Sequence, residues 1–206
     1  MLFLAVFIFV GAIIGPDPAG PEGPISRFPE IRAGRTIENA AYLAVLMLWT
    51  AHALALYRAL RHASPAPALI GSILLGIGLV VLAAGALPHA ATVLIADLYH
   101  APGASVQDQA GLVMAWHATQ GMFNALLVTG LVLLPFGMLG IGIAMRGAPA
   151  FGKGYAWAGV TLGVIGAGAA VALLVDPQSF IAVLGFFALI IFHMVMGLKL
   201  YRLSRA

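Results

Sequence analysis

The chain has 206 residues, 62% of them hydrophobic and only 8% charged, with a mean hydropathy of +1.05. Soluble domains carry about 25% charged residues, so lipid must be the solvent for most of this surface. The net charge of +3 comes from cations in short groups beside apolar runs, not from the basic face that nucleic-acid binding requires, and the lack of cysteine excludes disulfides and Cys-ligated metal centres.

The opening "MLFLAVFIFVGAII" is apolar but ends after fourteen residues at Gly15. It has neither the basic start nor the small-residue cleavage site of a signal peptide, and reads as a short uncleaved first span or anchor. Next comes "GPDPAGPEGPISRFPEIRAGR", with five prolines; the composition predicts an extended outer loop over 15–37. Apolar runs long enough to cross a bilayer (~17–25 residues) follow near Ala40–Leu60, Pro67–Leu87, Gly121–Met145, Tyr155–Val175 and Phe180–Leu200. A second outer loop is expected over 88–110, while "HASPAP" and "RGAPAFGKG" read as tight turns between antiparallel neighbours. Gly159, Gly163, Ala167 and Ala170 form a small-residue stripe that lets helix backbones approach closely. The expected fold is therefore all-α: one integral membrane domain over 1–206, a polytopic transmembrane bundle of six helices, or five plus the N-terminal anchor.

Charge orients the bundle. Arg58 and Arg61, then Arg146 and Lys153, then Lys199, Arg202 and Arg205 follow alternate spans, and the acids lie in the intervening segments. The positive-inside rule puts those basic segments and both termini in the cytoplasm, in a prokaryotic cytoplasmic membrane. Arg27, Arg32 and Arg35 depart from the rule, although acids alternate with them.

"YLAVLMLWTAHALALYRALRHASPAPALIGSILLGIG" and "LLPFGMLGIGIAMRGAPAFGKGYAWAGVTLGVIGAG" share a pattern. A helix ends in Tyr-Arg-x-Leu before a short Pro turn, and a later Gly-rich helix pair is joined by a basic Pro-containing turn. Tyr57, Arg58, Leu60 and Pro65 carry the first part, and Gly147, Pro149 and Gly159 the second. In this the chain resembles an uncharacterised prokaryotic family of six-span membrane proteins. The resemblance is topological, covers about two thirds of the chain and implies no activity, cofactor or site residue.

Polar groups inside spans mark candidate sites, because they are costly in lipid and usually face protein. In "AWHATQGMFN", His117, Gln120, Gly121 and Asn124 share one helical face. Gln120 and Asn124 are expected to line a polar interior, with Trp116 and Phe123 pointing to lipid or the interface. His52 and His193 fall at matching depth in two spans running the same way, and His89 and His117 at matching depth in the other leaflet. Paired imidazoles at two levels are how a membrane cytochrome holds b-type haem. These four histidines are therefore the candidate ligands of a haem b or another tetrapyrrole, with no other metal and no catalytic residue expected. No acid lies deep in a span and no Ser or Cys nucleophile stands beside a His, which counts against ion-coupled transport and hydrolysis.

Two classes of function follow. One is a non-catalytic accessory or assembly subunit of a larger membrane complex, with the bilayer and other membrane subunits as partners and no nucleic acid. The other is a bis-His haem redox protein; a lipid- or quinone-handling enzyme or carrier around His117 and Asn124 is a weaker third.

Overall fold

The computed structural model describes residues 20–176 and 179–205. Helix dominates and no strand occurs among them. The elements are α1 (Gly23–Ser26), α2 (Phe28–Leu60), α3 (Pro65–Ala84), α4 (Ala86–Tyr99), α5 (Val106–Arg146), α6 (Lys153–Val175) and α7 (Ala182–Leu203). Five continuous helical stretches are long and apolar enough to cross a membrane: 28–60, 65–99, 106–146, 153–175 and 183–203. The protein is thus an all-α integral membrane protein, and the sixth expected span, 1–14, lies outside the described residues.

Two expected loops are corrected. Residues 15–37 do not form an extended loop throughout, because α1 and the start of α2 occupy the segment from Gly23 onward. Pro24 and Pro29 sit in the first turns of their helices, where the missing N–H would have no helical partner anyway. Residues 88–110 are also mostly helical. Pro88 lies in the first turn of α4, which continues to Tyr99, and only 100–105 separate it from α5. Ser105 and Asp108 then start α5 as a reciprocal cap: the Ser105 backbone N–H donates to Asp108 Oδ2 (3.2 Å) and the Asp108 N–H to Ser105 Oγ (3.1 Å).

The contacts group the chain into two compact units, Met1–Val45 with Ala83–Leu126, and Leu46–Leu82 with Leu127–Ala206. The first contains α1, α4 and the N-terminal parts of α2 and α5. Its core is built from Ile25, Phe28, Tyr99, Val113 and Trp116 around the small Ala96, with Phe28 and Trp116 edge to face at 5.5 Å. Trp116 therefore points inward and not to lipid. Around this core Arg32 forms a bidentate pair with Asp97 (2.7 and 3.0 Å), and His100 Nε2 donates to the Ile25 carbonyl (3.0 Å).

The second unit contains α3, α6, α7 and the C-terminal parts of α2 and α5, and it packs through glycine. A Cβ at Gly71 would fall 2.7 Å from Ile141 N, and one at Gly140 2.6 Å from Gly71 Cα, so α3 and α5 touch backbone to backbone. On another side of α5, a Cβ at Gly142 would lie 2.5 Å from Val160 N on α6; Gly163 meets Leu139, and Gly166 meets Pro135. The small-residue stripe of α6 runs Gly159, Gly163, Gly166, Ala170, all buried, with Gly166 in place of the expected Ala167. Gly185 meets Ala169 across α6 and α7, and Gly147 meets Ser64 where the α5–α6 and α2–α3 turns come together.

Candidate functional site

The second unit places one cluster of titratable side chains in its interior. His52 lies on α2 one turn after Trp49, and His193 on α7 one turn before Met196 and Gly197, so each helix presents a coherent face. The two imidazoles meet directly, Nδ1 to Nδ1, at 2.7 Å. Their ring centroids are 4.9 Å apart with the planes tilted by 59°. Trp49 stacks flat on His193 at 4.5 Å (interplanar angle 2°), and Phe192 stands edge-on to it. His193 is only 7% exposed, Met196 is fully buried, and Gly197 passes beneath His52, where a Cβ would lie 3.9 Å from Nε2. The matched depth expected of His52 and His193 is thus a direct contact.

The chemistry of the pair follows from proton bookkeeping. A neutral imidazole has one N–H and one lone pair, so one ring donates its Nδ1–H to the Nδ1 lone pair of the other. The donor ring then has a lone pair at Nε2 and the acceptor ring an N–H there. Both Nε2 atoms are buried without a hydrogen-bond partner. The pair shares one proton inward and presents one acceptor and one donor outward.

A haem iron between the two Nδ1 atoms does not fit: metal–imidazole bonds of roughly 2 Å each would need them about 4 Å apart, whereas they are 2.7 Å apart and bonded to one another. The stacked Trp49 ring covers one face of His193. No metal-binding group of three or more His, Cys, Asp or Glu side chains occurs among the described residues.

The second expected pair is not assembled in the same way. His89, in the first unit, packs against Phe123 at 5.4 Å, and its Nδ1 is buried and unpartnered. His117 stands six residues earlier on α5, about 9 Å along the helix, is exposed, and donates from Nε2 to the Pro21 carbonyl (2.9 Å). Gln120 is half-buried, while Gly121 and Asn124 are exposed. The expected polar interior around Gln120 and Asn124 is therefore not enclosed: on that side of α5 Val113 and Trp116 are buried in the core of the first unit, whereas His117, Gly121 and Asn124, further along the same side, are exposed.

Reasoning from sequence missed Trp49 and Gly166, the glycine opposite Pro135. The Trp49–His52 spacing of one turn was available as a signal; the α3–α5 glycine register was not, because it needs the pairing of two helices. No known protein family, curated protein or solved structure matches the chain, so its function is argued from this geometry.

Proposed function

We propose that the protein is a non-catalytic accessory or assembly subunit, docking onto a larger membrane complex through the exposed face of α5 formed by His117, Gln120, Gly121 and Asn124. One observation carries the reading. Gly121 has open space where a Cβ would stand, and polar side chains flank it on an exposed face of a long apolar helix. Helices associate in lipid through this composition: a small residue lets a second backbone approach, and neighbouring polar groups hydrogen-bond across the contact. The His52–His193 pair is an internal tie in this reading. The host is a prokaryotic cytoplasmic membrane, with the basic helix ends on the cytoplasmic side.

The test places a photoreactive residue at position 124 and, as a control, at exposed Ile143. Expected is a discrete crosslink to a second membrane chain from position 124 only, lost when Gly121→Leu blocks close approach. Lipid adducts alone from both positions would overturn the reading. A Soret band in the purified protein, abolished by His193→Ala, would overturn it in favour of a haem protein.

A further inference from the structure

Unit two is electrostatically lopsided. Of ten Lys and Arg residues in the chain, seven lie in it: Arg58, Arg61, Arg146, Lys153, Lys199, Arg202 and Arg205. Its single acidic side chain is Asp176, at the end of α6 opposite these cations. The contact of Gly147 with Ser64 gathers two of the basic turns. The last turn of α7 joins them at the start of α6.

There two cations converge on one ring. Lys199 and Arg202 are three residues apart and share a face of α7. Lys199 Nζ lies 5.3 Å from the centroid of the Tyr155 ring, and an Arg202 guanidinium N–H donates to Tyr155 Oη (3.4 Å). Tyr155 is in the first turn of α6; Asp176 is 21 residues further on, about 31 Å along the helix. Two like charges are thus held at one tyrosine, and among the described residues no side-chain carboxylate of their unit lies within reach. On the other side of the same turn, Arg146 stands 5.3 Å from the ring of exposed Trp157.

We propose that Tyr155, Lys199 and Arg202 form a headgroup site for an anionic phospholipid. A guanidinium donates a fork of hydrogen bonds to phosphate oxygens, an ammonium adds a mobile donor and charge, and the tyrosine hydroxyl completes the set. A phosphodiester supplies the missing negative charge. The ammonium of a zwitterionic headgroup would be repelled by Lys199 and Arg202, which selects for net-anionic lipid. The position favours a lipid over a free ion, because these residues occupy the last turn of one apolar spanning helix and the first turn of another, flanked by aromatic rings suited to the interface.

The experiment uses the full chain in detergent micelles doped with phosphatidylglycerol, phosphatidylcholine or neither, plus a micelle sample with inorganic phosphate. Bound lipid is counted by native mass spectrometry at high salt, where diffuse attraction is screened. Expected is retention of phosphatidylglycerol and not phosphatidylcholine, weakened about tenfold by Arg202→Gln, as befits loss of a charge-assisted hydrogen bond. Arg61→Gln, which removes a cation outside the convergence, should change retention by less than about twofold under the same screening. Equal losses from both variants would reduce the effect to general surface charge and overturn the site. Inorganic phosphate competing at equal concentration would overturn the lipid assignment. Helicity measured by circular dichroism, with Arg202→Lys as a variant that keeps the charge, separates loss of binding from loss of fold.

Discussion

Replacing Gly71 by Ala adds a single methyl group to α3, and the structure makes its cost calculable. The new carbon would fall 2.7 Å from Ile141 N, 2.8 Å from Gly140 C and 3.0 Å from Gly137 O. All three are backbone atoms, so no side-chain rotation relieves the clash and the helices must move apart. Overpacking of this kind costs about 1–3 kcal/mol, offset by the roughly 0.5–1 kcal/mol that Ala gains over Gly in a helix. The net expectation is about 1.4 kcal/mol, near a tenfold shift towards the unfolded state. Gly76, on the same helix, faces open space, so Gly76→Ala should take only the gain and be neutral or stabilising. The assay is reversible unfolding in mixed micelles followed by circular dichroism. Gly140→Ala, whose Cβ would meet Gly71 Cα at 2.6 Å, should give less than the sum of the two losses when combined with Gly71→Ala, because one separation of the helices accommodates both methyl groups. Equal effects for Gly71→Ala and Gly76→Ala, or strict additivity of Gly71→Ala with Gly140→Ala, would refute the close α3–α5 contact.

Three further perturbations separate the parts of the fold. His193→Ala removes the hydrogen-bond partner of His52 Nδ1 and should cost about 1–3 kcal/mol for that orphaned group plus a cavity beside Trp49. The double change His52→Leu with His193→Phe removes both partners and should recover most of that loss in the same unfolding assay. Gly166→Ala would push a Cβ to 2.9 Å from Pro135 Cγ; it should destabilise the natural chain and be tolerated once Pro135→Ala has removed the ring, a sign reversal that a double-mutant cycle reads directly. Trp116→Ala empties the centre of the first unit's core and should cost about 3–5 kcal/mol. The readout is amide hydrogen exchange, with protection lost in α4 and early α5 while the glycine-packed part of α5 stays protected.

Much of the fold was legible because a bilayer imposes length and apolarity on every crossing helix. The elements most clearly legible were those governed by that rule alone, such as α6 and α7. The misreadings came from treating Pro and Gly as breakers regardless of position. Pro24, Pro29 and Pro88 are harmless in first turns, and "SVQD" at the entry to α5 carries a capping-box signature that argues against a loop there. For the candidate site, equal depth from helix length was enough to pair His52 with His193, since both helices climb at about 1.5 Å per residue. Depth does not specify azimuth, which is why the same reasoning paired His89 with His117, whereas His89 meets Phe123 and His117 reaches Pro21. Burial along the helix decided the polar stripe. Its four residues share a face as expected, but the burial of that side ends at Trp116, and His117, Gly121 and Asn124 are exposed.

The two units differ in how closely their helix backbones approach, and a lipid solvent gives that difference its meaning. In lipid, apolar side chains gain nothing by leaving the surroundings, so association depends on close van der Waals contact, which small residues permit. The second unit follows that logic: Gly71, Gly137, Gly140, Gly142 and Gly159 each sit where a Cβ would strike the backbone of the neighbouring helix. Large side chains are buried in both units, Leu134, Met138, Phe151 and Phe192 in the second and Ile25, Phe28 and Trp116 in the first, so the size of the buried side chains does not distinguish them. Close backbone contact at glycine does: Gly111 and Gly121, on the part of α5 that belongs to the first unit, face open space.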